Sequence, residues 1–147
     1  MKREFIQSLD NFFNERTKCG SVMTYNQFGD LYVTRTGSYN EWLDRLSPTC
    51  SKHINPVPIG DISLAEFEYE TSKGSVAGIG VIFPHDLYIE IYSEESNTDE
   101  LNNSIKNSIE ESVEHLRHIK LVSREESINA VYKIIKDLID LFEIIIF

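Results

Sequence analysis

Four groupings of residues have types and spacings that chemistry can use. Cys50 and His53 lie three apart, the elements of a nucleophile and its base. Glu111, His115 and His118 fall on one face of a helix, as metal ligands must. Gly78-Ile79-Gly80 has the opening of a phosphate-binding loop. Glu66, Glu68 and Glu70, with Glu90 further on, offer carboxylates for acid–base work or for holding a cationic partner.

The first three are better explained without chemistry. The Cys50–His53 spacing fits no nucleophile signature, and such pairs are made by spatial proximity rather than sequence distance. The face carrying Glu111, His115 and His118 is opposite Ile105, Ile109 and Leu116, so it looks toward water. Carboxylate-bridged metal sites draw ligands from several helices, and the sequence has no second Glu/His set. After Gly80 the chain continues Val81-Ile82-Phe83, a strand, where a phosphate loop needs a third glycine and a helix. Glycines within a strand mark a bulge or a close backbone approach. No cofactor and no metal is expected.

The carboxylates are different. Catalytic pairs are separated by unlike environments, whereas alternate positions on one exposed strand give Glu66, Glu68 and Glu70 similar ones. A solvated sheet face and a binding face are the two readings. The chain's charge distribution favours the second. Of a net −10, residues 61–100 carry −9, with ten acids against Lys73 alone. Tyr88 and Tyr92 flank Glu90, and tyrosine is enriched where partners bind. The candidate partner-binding surface is therefore Glu66, Glu68, Glu70, Tyr88, Glu90 and Tyr92.

The elements that must position these residues follow from hydrophobic periodicity. Phe5, Ile6, Leu9, Phe12 and Phe13 form one face of a helix over 3–16, stopped at Cys19-Gly20. Residues 21–36 read as a short hairpin or a single strand about Gly29-Asp30. A short helix over 39–46 opens on the capping-box spacing Ser38–Glu41. Residues 47–60 hold Pro48, Pro56, Pro58 and Gly60 and read as an irregular connection.

Three strands follow: 63–71, 75–83 and 87–92. In the first, Ala65, Phe67 and Tyr69 oppose Glu66, Glu68 and Glu70; in the last, Leu87, Ile89 and Ile91 point inward and Tyr88, Glu90 and Tyr92 outward. A middle strand apolar on both sides fits an antiparallel sheet covered on one face. A helix is predicted over 98–120. A capping box at Ser123–Glu126 opens a last helix, whose wide apolar face places it deep against the sheet. Residues 144–147 either continue it or form a strand, which three isoleucines favour on propensity. The expected architecture is α+β in one domain over 1–147: an antiparallel sheet of three to five strands with helices packed on one face.

Bulk properties exclude several functions. At 147 residues the chain can bury a core without metal or disulfide. Net charge −10 argues against nucleic acid as a direct ligand and against an anionic membrane surface. Two cysteines and an interrupted N-terminal apolar run point to reduced thiols and a cytoplasmic protein. Asp137, Asp140 and Glu143 break the C-terminal apolar run short of a membrane span.

In size, in lacking a catalytic signature and in its Glu66/Glu68/Glu70–Glu90 stretch with Tyr88 and Tyr92, the chain resembles the small acidic immunity proteins of bacterial toxin systems, such as contact-dependent growth inhibition. The resemblance implies a cognate toxin with a basic surface, often a nuclease, whose active site or substrate groove is blocked. Two rivals stand beside it. A small enzyme with an acidic cleft for a cationic substrate needs His85 or His53 within reach of the acids. A homo-oligomeric or adaptor protein would use an uncovered sheet face or edge.

Overall fold

A computed structural model of the chain describes residues 21–25, 31–35, 50–71, 74–85, 87–93 and 99–146. These residues form strands β1 (Ser21–Tyr25), β2 (Leu31–Arg35), β3 (Cys50–Ile59), β4 (Ile62–Thr71), β5 (Gly74–Phe83) and β6 (Leu87–Ser93), and helices α1 (Asp99–His115) and α2 (Arg124–Ile146). The helices expected over 3–16 and 39–46 lie outside the described residues.

The six described strands make one antiparallel sheet in the order β1-β2-β6-β5-β4-β3, and the fold is α+β. β3 to β6 run as a meander, and the β1–β2 hairpin joins it through β2 and β6. The count exceeds the expected three to five because residues 50–59, read as irregular from their prolines, form a strand. Proline removes a ladder donor and is tolerated at sheet edges and bulges. Among the described strands β3 is at an edge, and its register against β4 shifts between Ile54 and Val57, around Pro56.

Cross-strand pairing defines two faces. Leu64, Val81 and Ile89 stand side by side across β4, β5 and β6, as do Glu66, Ile79 and Ile91. On the other face stand Phe67, Gly78 and Tyr92, then Ala65, Gly80 and Glu90. Helices α1 and α2 share one core with the first face: Ile105, Ile109 and Val113 from α1 and Val131, Ile134, Ile135, Leu138 and Ile139 from α2 pack with Val81, Ile89 and Ile91. The deep placement expected for the last helix is present.

Helix ends differ from the periodicity in physical detail. α1 stops at His115, five residues before the expected end, and the chain tightens into i→i−3 bonds at Leu116, Arg117 and Ile119. At α2, Ser123 Oγ accepts from Glu126 N at 3.2 Å, the expected cap. The Glu126 carboxylate reaches back to Val122 N at 2.9 Å, one residue beyond the usual box partner. α2 runs through Ile146, against the strand propensity of its isoleucines. Extending an existing helix adds one bond per residue fixed, and this outweighs a local preference worth tenths of a kilocalorie, ~0.5 kcal/mol. No described helix is long and apolar enough to cross a membrane.

One end of the sheet is closed by polar contacts. Gly60 in the β3–β4 turn has φ +63°, and a Cβ there would lie 2.3 Å from the Arg117 carbonyl oxygen. Leu121 N donates to Asp61 Oδ2 at 3.0 Å, and His85 Nε2 meets Leu121 O at 3.0 Å. Arg124 donates to His85 O, and Ser127 Oγ to Pro84 O, each at 3.2 Å. Both hairpin turns are thus tied to the α1–α2 connection. The candidate acids lie toward the other end.

Candidate functional site

Along the helix-side face of β4, burial falls steadily. Ile62 is fully buried, Leu64, Glu66 and Glu68 are half-buried, and Glu70 is exposed. Helix cover thins from Glu66, which Lys106 of α1 still reaches, to Glu70. Ala77, across from Glu68 on β5, is exposed in the same way. Glu70 accepts a hydrogen bond from Ser75 Oγ at 2.8 Å. Lys106 of α1 reaches down to pair with Glu66 and stands 3.9 Å from Glu110. The hydrogen bond to Glu66 raises the Lys106 pKa, partly opposed by burial. Lys52 stands opposite Glu68 in the β3–β4 register.

Two clefts adjoin these acids. One of about 170 Å³ is lined by Glu66, Glu68, Ala77 and Ile79 with Asn103 and Lys106 of α1. The other, about 190 Å³, is lined by Ile54, Val57, Leu64 and Glu66 with Lys106 and Glu110. Ile54, Glu66, Ile79 and Lys106 belong to both. Ile54 and Val57 are 38 % and 58 % exposed, apolar surface that the described helices leave uncovered.

The expected six-residue surface does not exist as one surface. Strand alternation correctly separates Tyr88, Glu90 and Tyr92 from Ile89 and Ile91. The error lay between strands. Glu66 pairs with Ile79, and Ile79 with Ile91, so the β4 acids share the helix-side face, whereas Tyr88, Glu90 and Tyr92 are on the opposite one. That opposite face is not open either. Tyr88 is 0 % and Glu90 6 % exposed, and Tyr92 is half-buried. Tyr88 and Glu90 are therefore removed from any partner surface, and the expectation of one covered face is corrected to burial on both.

This second face is an aromatic layer seated on glycine. A Cβ on Gly78 would lie 2.2 Å from the Phe67 ring, and one on Gly80 2.2 Å from the Tyr88 hydroxyl. The two glycines serve as flat seats for buried rings, the close approach their place in a strand suggested. Phe67 meets Tyr69 edge-on, with ring centroids 4.9 Å apart. The Tyr69 hydroxyl hydrogen-bonds Glu90. Burial is the largest cause raising the Tyr69 pKa, followed by the negative charge of Glu90.

The remaining candidates are dispersed. A register shift between Cys50 and Lys52 puts Cys50 opposite Tyr69 and His53 opposite Phe67, both on the aromatic face. His53 is thus across the sheet from the β4 acids, and His85 is tied to Leu121 at the closed end. The acidic cleft contains neither. Glu111 and His115 line a polar groove of about 520 Å³ between α1 and α2, where Ser112 Oγ donates to Asp137 Oδ2 at 2.9 Å. His118 lies past the end of α1, so helical spacing does not bring it to them. Among the described residues no three His, Cys, Asp or Glu side chains are placed to hold a metal ion.

Sequence reasoning missed Ile54, Val57, Asn103 and Lys106. Ile54, Val57 and Ile59 carry a broken apolar alternation that the prolines between them obscured. Lys106, next to core residue Ile105, had no signal of its own. No family model, no curated protein and no solved structure matches this chain.

Proposed function

We propose that the chain is an inhibitory binding protein of the bacterial toxin-immunity type, which holds a basic protein, such as a nuclease, by the acids of β4. One observation carries the reading. Glu66, paired with Lys106 of α1, and Glu68 are half-buried and Glu70 is exposed along the margin of the helix-side face, beside apolar surface at Ile54 and Val57. Charge in this position steers a cationic partner and speeds encounter, while the adjoining apolar residues supply what charge alone does not, a centre that can be desolvated. An inhibitor of this kind needs no nucleophile, metal or cofactor of its own. It blocks a partner by occupying it.

The test is neutralisation. Immunity genes sit directly after the genes of their toxins, so the product of the preceding gene is expressed in a bacterial host with and without this chain. Growth is expected to stop without the chain and to be restored with it, and the two proteins are expected to co-purify. A preceding-gene product that is toxic and remains toxic, with no complex recovered, removes the proposal.

A further inference from the structure

The two clefts beside the β4 acids lie side by side along one trough, and the Lys106–Glu66 ion pair lines both. Its walls are α1 on one side and edge strand β3 on the other. At about 170 and 190 Å³, each part is smaller than the ~300 Å³ and upward that small-molecule sites occupy. Each is the size of an anchor point for side chains of a larger partner. The anchors are apolar at Ile54, Val57 and Leu64 and acidic at Glu66, Glu68 and Glu110.

What enters the trough is constrained by the edge. A partner strand adding to β3 needs a continuous row of backbone donors and acceptors. Pro56 and Pro58 lack N–H groups, and the register shift between Ile54 and Val57 interrupts the row. The exposed apolar residues point to the face instead: Ile54 pairs with Glu66 and Val57 with Leu64, which places them on the side of α1 and α2. Because the register shift takes up one residue, Ile54 to Ile59 runs beside Glu66 to Ile62, four steps of β4 or roughly 13 Å at about 3.3 Å per residue, the length of about two and a half helical turns. Charge selects the sign. Of the charged residues that line the trough, Glu66, Glu68 and Glu110 stand against Lys106, an excess of two acids.

We infer that this trough seats a basic amphipathic helix of the protein partner, lying along β3 parallel to the sheet face. Its apolar stripe rests on Ile54, Val57 and Leu64, and its Lys or Arg side chains meet Glu66 and Glu110. Lys106, 39 % exposed at its side chain, holds the place of one partner cation until the complex forms. The inference rests on the partner being a basic protein, as proposed above, and adds where and in what conformation it is held.

The experiment uses the full chain, isotopically labelled, and two synthetic helical peptides of the same Leu pattern, one with Lys and one with Glu at the polar positions. Amide shifts on adding the Lys peptide are expected at Ile54, Val57, Ile79 and Lys106, with none from the Glu peptide. Val57→Asp is expected to weaken the Lys peptide about tenfold. Val122→Asp, the same change at an exposed valine on the α1–α2 connection, is expected to leave it unchanged. Both variants add a negative charge, so a purely electrostatic attraction would strengthen or spare both and overturns the inference. Shifts confined to other acidic surfaces overturn it while leaving the basic-partner reading standing. No binding of the Lys peptide anywhere overturns both. Concentration-dependent broadening at Ile54 and Val57 without peptide assigns the trough to a second copy of the chain and overturns it as well.

Discussion

Gly80→Ala tests whether Tyr88 belongs to the interior rather than to a partner surface. A methyl group at residue 80 would sit 2.2 Å from the Tyr88 hydroxyl oxygen, 2.9 Å from Cζ and 3.0 Å from Cε2. Non-bonded atoms are comfortable at about 3.5–4.0 Å, so the ring must move by more than 1 Å or the strands must part. Tyr88 is fully buried and has no solvent side to swing toward. Overpacking of this kind costs about 1–3 kcal/mol, offset by about 0.5–1 kcal/mol from the reduced freedom of the unfolded chain. A net loss of about 1–2 kcal/mol is expected, or about 2–8 °C in Tm for a chain of this length. Urea unfolding of the native chain, Gly80→Ala, Tyr88→Phe and the double variant closes a cycle. Removing the hydroxyl deletes the shortest contact, so the penalty of Gly80→Ala is expected to fall by about 1 kcal/mol in the Phe background. A Gly80→Ala protein as stable as the native one, or a penalty unchanged by Tyr88→Phe, refutes the seating of Tyr88 on Gly80.

Two further outcomes follow from named contacts. The Tyr69 pKa is raised, so the folded state keeps a proton that the unfolded chain gives up at about pH 10. The stabilisation is present in full below that pH and is lost as pH rises toward the folded value, so stability is expected to fall above about pH 10. Ultraviolet titration should show a late-ionising fraction that is smaller in Tyr69→Phe; an unchanged late fraction in that variant contradicts the assignment. Ser123→Ala removes the side-chain acceptor for Glu126 N and is expected to cost about 1 kcal/mol in urea unfolding. A loss no larger than that of Ser75→Ala, whose hydroxyl serves only an exposed strand contact, would mean the cap is not used.

The legible parts of the fold were those written in a strong period with matching ends. α2 carries apolar residues at helical spacing and a Ser123 cap, and both are used as written. The strands β4, β5 and β6 alternate cleanly and fall within a residue or so of their expected bounds. β3 was obscured because Pro56 and Pro58 signal a break everywhere except at an edge or bulge, and edge position is a property of the whole sheet. The candidate site failed at the same level. Alternation within β4 separates Glu66 from Phe67, but only the register across β5 shows that Glu66 shares a face with Ile91 and not with Glu90. Polar residue types also misled at Tyr88 and Glu90: alternation names the opposite face, not whether that face is covered. The glycines were informative in kind, since Gly78 and Gly80 mark close approach, while the rings that approach them come from neighbouring strands.

The most direct measurement is the salt dependence of partner binding when charge is removed from the trough or from elsewhere. Two variants of the full chain each lose three acids: Glu66, Glu68 and Glu70 changed together to Gln, and the exposed Glu111, Glu114 and Glu125 changed together to Gln. Their net charges are equal, so any difference between them is a matter of place. Binding to the preceding-gene product is followed by calorimetry from low to high salt. The β4 variant is expected to bind at least about tenfold more weakly at low salt, with a flattened salt dependence, and the helix variant to behave like the native chain. Equal affinity and equal salt dependence in the two variants would contradict the acidic strip of β4 as the binding surface.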